Sequence, residues 1–84
     1  MMKLLILFPP EHHVAAISTA LLQAGYRLTT ISSQSNPLSR QTDTLMLGLE
    51  EAHVPEAIAL ARHHLPAGAS LRYFVLNVAR FESL

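Results

Sequence analysis

The chain has 84 residues, half of them apolar and 14% charged, and its formal net charge is zero. That length allows one domain over residues 1–84 and no second core, and the apolar share is too high for a disordered chain. No basic run occurs, so the positive patch that nucleic-acid binding exchanges for counterions is missing and no such partner is expected. The absence of cysteine excludes disulfides, thiolate metal sites and cysteine nucleophiles.

Met2 to Phe8 is a continuous apolar run that Pro9 and Pro10 stop. It is far too short to span a bilayer, and it lacks the length and small-residue cleavage site of a secretory signal. The expectation is a buried strand in a cytoplasmic protein with no membrane partner. Glu11 to Ala24 reads as a helix. Pro10 suits its first turn, Glu11 opposes the positive end of the macrodipole, and Val14, Ile17, Leu21 and Ala24 recur at helical spacing. Gly25 then sits where a left-handed C-terminal residue is needed.

Tyr26 to Ser32 alternates and is rich in β-branched residues, which predicts a strand. Ser33 to Asp43 is polar, contains Asn36-Pro37 and reads as a loop. Thr44 to Leu49 is a further strand, whose Gly48 permits close approach of a neighbour or ligand. Glu50 to His53 connect to a second helix opened by Pro55, with Val54, Ile58, Ala61 and Leu65 on one face. His63 and His64 lie in its last turn and Pro66-Ala67-Gly68 end it. Leu71 to Val78 is the final strand, and Ala79 to Leu84 form a partly apolar tail suited to docking on the sheet or a neighbour.

The order strand, helix, strand, strand, helix, strand is the split-βαβ, ferredoxin-like pattern of the α+β class. It implies a four-stranded antiparallel sheet with two helices on one face. The other face is open, and its apolar strands favour burial by another subunit.

Candidate chemistry is sparse. Adjacent histidines, as in His12-His13 and His63-His64, point about 100° apart on a helix, and the i, i+4 spacing of metal motifs is absent. They read as surface groups, with a metal held across subunits as the alternative. No nucleophile–base pattern and no glycine-rich phosphate loop occurs; Glu50-Glu51 is a candidate metal or acid/base pair, but such a doublet more often solvates the turn before a helix, so no catalytic residue and no cofactor is expected. The stretch Ser33 to Asp43 is long for a hairpin connection, where about two to five residues is usual, and such loops often bind ligands. Its hydroxyls, amides and Arg40, with Arg27 on the preceding strand, suit an anion or a nucleotide; a solvated loop with no ligand is the competing reading.

Several stretches resemble the PII-like family that includes the cyclic di-AMP receptors. Met2-Lys3-Leu4-Leu5-Ile6 resembles its first strand, and Ala24-Gly25-Tyr26-Arg27-Leu28-Thr29 its helix end and second strand. Thr44 to Leu49 is similar to its third strand, Val54 to Leu60 to its second helix, and Phe74 to Phe81 to its last strand. The resemblance implies a homotrimer, with ligands in clefts between subunits beside the loop joining the second and third strands. Carried over by position, Arg27 and Thr29 match the ligand-side strand, Leu38 an apolar loop residue, Thr42 a polar loop position and Gly48 the strand glycine. Asn36 and Arg40 complete the candidate ligand-binding set.

The chain departs from the receptors in two places. Ser35-Asn36-Pro37-Leu38-Ser39 stands where they have a Gly-Gly-Phe-Leu-Arg type of loop, and the segment before the last strand shrinks to Pro66–Ser70. The expectation is therefore a divergent, shortened regulatory protein that is not an enzyme and that binds a small anion, with an adenine nucleotide or cyclic di-AMP as candidates. A module of the same fold that binds only a partner protein, through the 33–43 loop, and a metal-binding trimer like CutA remain open.

Overall fold

A computed structural model describes residues 1–33 and 42–79. The elements are β1 (Met2–Phe8), a 3-10 turn (Glu11–His13), α1 (Val14–Gln23), β2 (Leu28–Ser33), β3 (Thr42–Glu50), a second 3-10 turn (Glu51–His53), α2 (Val54–His63) and β4 (Arg72–Asn77). The strands form one antiparallel sheet in the order β2-β3-β1-β4. This is the ferredoxin-like βαββαβ arrangement expected from the sequence.

The core follows from strand alternation. Leu5 and Leu7 of β1 lie opposite Leu47 and Leu45 of β3, on the face the helices cover. Ile17 and Leu21 of α1 and Ala57 and Ala61 of α2 close over them, and all eight side chains are fully buried. The small alanines let α2 approach closely. No polar side chain is buried among the described residues, so the core is aliphatic and held by area rather than by polar networks.

The two halves match more closely than their sequences suggest. Each strand, β1 or β3, feeds a three-residue 3-10 turn and then a ten-residue helix. Pro10 precedes the first turn in an extended conformation, and Pro55 occupies the first turn of α2, where a missing N–H is tolerated.

Several expectations need adjustment, among them the last strand, which spans Arg72–Asn77 rather than Leu71 to Val78. The helix expected from Glu11 begins as a 3-10 turn and becomes α-helical at Val14, and Ala24, expected on the core face, is exposed. Strand β2 begins at Leu28 rather than Tyr26, because the chain is still closing α1. The Tyr26 N–H bonds the Leu21 carbonyl (3.1 Å) and the Gly25 N–H bonds the Leu22 carbonyl (3.0 Å). With Gly25 at φ +93° this is a Schellman closure, which claims Tyr26 for the helix end. Finally, β3 starts at Thr42, since the ladder runs on to pair Ser33 with Thr42. The hairpin thus takes in both ends of the expected 33–43 loop.

Among the described residues nothing covers the other sheet face; the tail expected to dock there lies, beyond Ala79, outside the described residues. Ile31, Phe8, Phe74 and Leu76 lie on it with 47%, 38%, 61% and 47% exposure, beside Leu4, Ile6 and Met46. Strand β4 is exposed along its whole length, because Tyr73 and Val75 on its helix side are also open to solvent. Phe8 and Phe74 meet edge to face at 5.7 Å.

Candidate functional site

The antiparallel topology brings the start of β2 and the end of β3 to one end of the sheet. Thr29 pairs with Met46, and Leu28 with Leu47. Continuing that register by one residue sets Arg27 beside Gly48. Arg27, Thr29 and Gly48 accordingly line one hollow of about 460 Å³, together with Met2, Leu4, Leu28 and Met46. A charged donor, a hydroxyl and an apolar floor thus share one surface at the edge of the open face. Arg27 is exposed and precedes β2 rather than lying on it.

Of the other sequence-derived candidates, Asn36, Leu38 and Arg40 lie outside the described residues. Thr42 opens β3 opposite Ser33. It stands six residues from Gly48 along the same strand, which is about 20 Å at strand rise. One protomer therefore does not bring Thr42 to the Arg27 hollow.

A second hollow, of about 450 Å³, lies around the corner and is reached from the same arginine. It is lined by Ala24, Gly25, Tyr26, Arg27, Gly48, Leu49, Glu50, His53 and Glu56. The Schellman closure of α1 places Tyr26 here, and the 3-10 turn entering α2 supplies His53. The Tyr26 and His53 rings stand edge to face at 6.3 Å. His53 Nδ1 is 3.6 Å from Glu56 Oε2. The Tyr26 phenol is pushed above its ordinary range, first by partial burial and then by its hydrogen bond to Glu56 and that carboxylate's charge. Glu50 is engaged separately, accepting a hydrogen bond from the Met1 ammonium at 3.2 Å.

Sequence reasoning missed this second group. His53 read as a connection residue and Glu50-Glu51 as a solvated turn. The signal lay in the element order, which puts the end of α1 and the start of α2 at the same end of the sheet. Among the described residues no group of three or more histidines and carboxylates is placed to hold a metal ion. No described helix is long and apolar enough to cross a membrane.

No family model matches the sequence, and no curated protein matches it. Solved structures do resemble it. A functionally unknown protein from Pediococcus pentosaceus ATCC 25745 is 23% identical with a TM-score of 0.82, over 99% of this chain and 97% of that one. A DUF3240 family protein from Shewanella baltica is 21% identical with a TM-score of 0.64, over 99% of this chain and 96% of that one. Arabidopsis thaliana PII bound to citrate is 19% identical with a TM-score of 0.67, over 92% of this chain and 73% of that one. At these identities the likeness is one of fold: the chain has the ferredoxin-like architecture that a PII protein also has.

Proposed function

We propose that the chain is a cytoplasmic regulatory module of PII type that binds a small anionic ligand and catalyses no reaction. The observation that carries this reading is the convergence of Arg27, Thr29 and Gly48 on one hollow at the rim of the open sheet face. A guanidinium with an adjacent hydroxyl suits a phosphate or a carboxylate, because charge-assisted hydrogen bonds are the strong ones. The PII protein of similar fold was solved with citrate, itself a small polyanion.

The working form is a homotrimer, with the open sheet faces packed together and the ligand in the clefts between subunits. The apolar residues on that face support it. Asn36, Leu38, Arg40 and Thr42 are assigned to the same ligand on the strength of the family resemblance and the composition of the 33–43 loop alone.

Titration calorimetry against cyclic di-AMP, ATP, ADP, AMP and citrate tests the reading. Binding by at least one of them is expected, weakened severalfold or more by Arg27→Ala. Silence from all five at high micromolar concentration sinks it. A second reading, a protein-interaction module without a ligand, draws on the exposed β4. Capture of a partner that survives Arg27→Ala and is lost on shortening the 33–43 loop would favour it.

A further inference from the structure

Two hollows meet at Arg27 and Gly48, and their chemistry differs. The open-face hollow offers a cation, a hydroxyl and apolar floor. The second offers hydrogen-bond acceptors. Glu50 there is occupied by the Met1 ammonium. Glu56 lines the same hollow as Tyr26 and lies 3.6 Å from His53 Nδ1. A carboxylate has about four lone-pair sites, so these neighbours leave acceptor capacity facing the hollow.

We infer that the two hollows form one bipartite site, in which Arg27 holds the anionic group of a ligand and Glu56 accepts an N–H from an amino group at its other end. The inference rests on the proposed anion-binding reading and specifies the second half of that ligand. Hollows of about 450 and 460 Å³ lie within the usual range for small-molecule sites, roughly 300–1,000 Å³. Tyr26 and His53 give the second hollow an aromatic wall. An acceptor in place of the amino group would set lone pairs against the Glu56 carboxylate. The site therefore discriminates against it rather than merely losing a bond. Glu56 is 60% exposed, so water competes and the discrimination is moderate.

AMP and IMP test this, because they differ in an exocyclic amino group against a carbonyl. Calorimetry on the full chain should show AMP binding about fivefold tighter than IMP, the scale of one solvent-exposed charged hydrogen bond. Glu56→Gln, which keeps the side-chain shape and offers a donor as well as an acceptor, should bring the two within about twofold. Arg27→Ala should weaken both nucleotides alike. Equal affinity in the wild type, or a preference that survives Glu56→Gln, overturns the bipartite site. The anion-binding reading then stands if Arg27→Ala still weakens both. Binding of neither nucleotide by the wild type overturns the bipartite site; the anion-binding reading falls with it only if cyclic di-AMP, ATP, ADP and citrate are silent too.

Discussion

Replacing Phe74 with serine is the sharpest test of what covers the open sheet face. In the protomer 61% of this side chain is in contact with water. Burying a whole phenylalanine contributes about 1.5–3 kcal/mol, so the part still available is roughly 1–2 kcal/mol per protomer. Three copies in a trimer then contribute roughly 3–6 kcal/mol, or about two to four powers of ten in the association constant. The constant for three chains carries concentration squared, so the midpoint concentration rises about ten- to a hundredfold. Sedimentation velocity over a wide concentration range reads that shift directly. The variant also loses its edge-to-face contact with Phe8, at a cost to the single protomer of about 1 kcal/mol. Thermal melts at the lowest concentration separate that cost from the assembly effect. A Phe74→Ser protein that sediments like the wild type at every concentration refutes the role given to this face, as does a wild type that stays monomeric throughout.

Other perturbations have equally definite outcomes. Leu47→Ala removes a fully buried side chain between both neighbouring strands and should cost about 2–5 kcal/mol in chemical denaturation, whereas an effect below 1 would mean that the core repacks. Gly25→Ala meets no atom within 4 Å, so its cost is backbone strain alone at φ +93°, about 1 kcal/mol in a melt. A loss several times larger would show a contact that the geometry lacks. The Tyr26 phenol ionises above its ordinary value, near 10, in the folded state. Its stabilising contribution is therefore complete below about pH 10 and is lost as pH rises toward the folded value, because the unfolded chain ionises first. Tyr26→Phe should remove the highest-pH step from a near-ultraviolet absorbance titration and flatten the alkaline fall in stability.

The fold was legible because its signals were local. The run from Met2 to Phe8 coincides with β1, Gly25 marks the end of α1, and Pro55 marks the opening of α2. The boundaries that moved did so for reasons outside any window of sequence. Tyr26 has strand propensity, but a hydrogen bond to Leu21 claims it for the helix end. Asp43 and Thr42 read as loop, but the ladder with Ser32 and Ser33 extends over them. The site divides in the same way. Arg27 stood out as a guanidinium beside the polar loop, Gly48 as a glycine in a strand, and Thr29 through the resemblance to the PII-like second strand; the structure sets the three on one hollow. Glu56 and His53 did not stand out, because nothing near them in sequence resembles a site. They join Tyr26 only through sheet topology.

The position of β1 carries a cost in folding time. It is the first strand in the chain and lies near the middle of the sheet, with β3 on one side and β4 on the other. Its partners are distant: Met2 waits for Glu50, and Phe8 for Arg72. The hairpin of β2 and β3 closes over a shorter span, but it cannot bury Leu45 and Leu47 fully until β1 arrives. Chain entropy therefore has to be spent before most of the apolar area is recovered, which favours slow, all-or-none acquisition of structure over stepwise growth from either half. A chain emerging from the ribosome would hold one edge of its most apolar strand unpaired after β3 had docked, until almost the last residues of β4 had been made, so that edge is where a chaperone would be expected to bind.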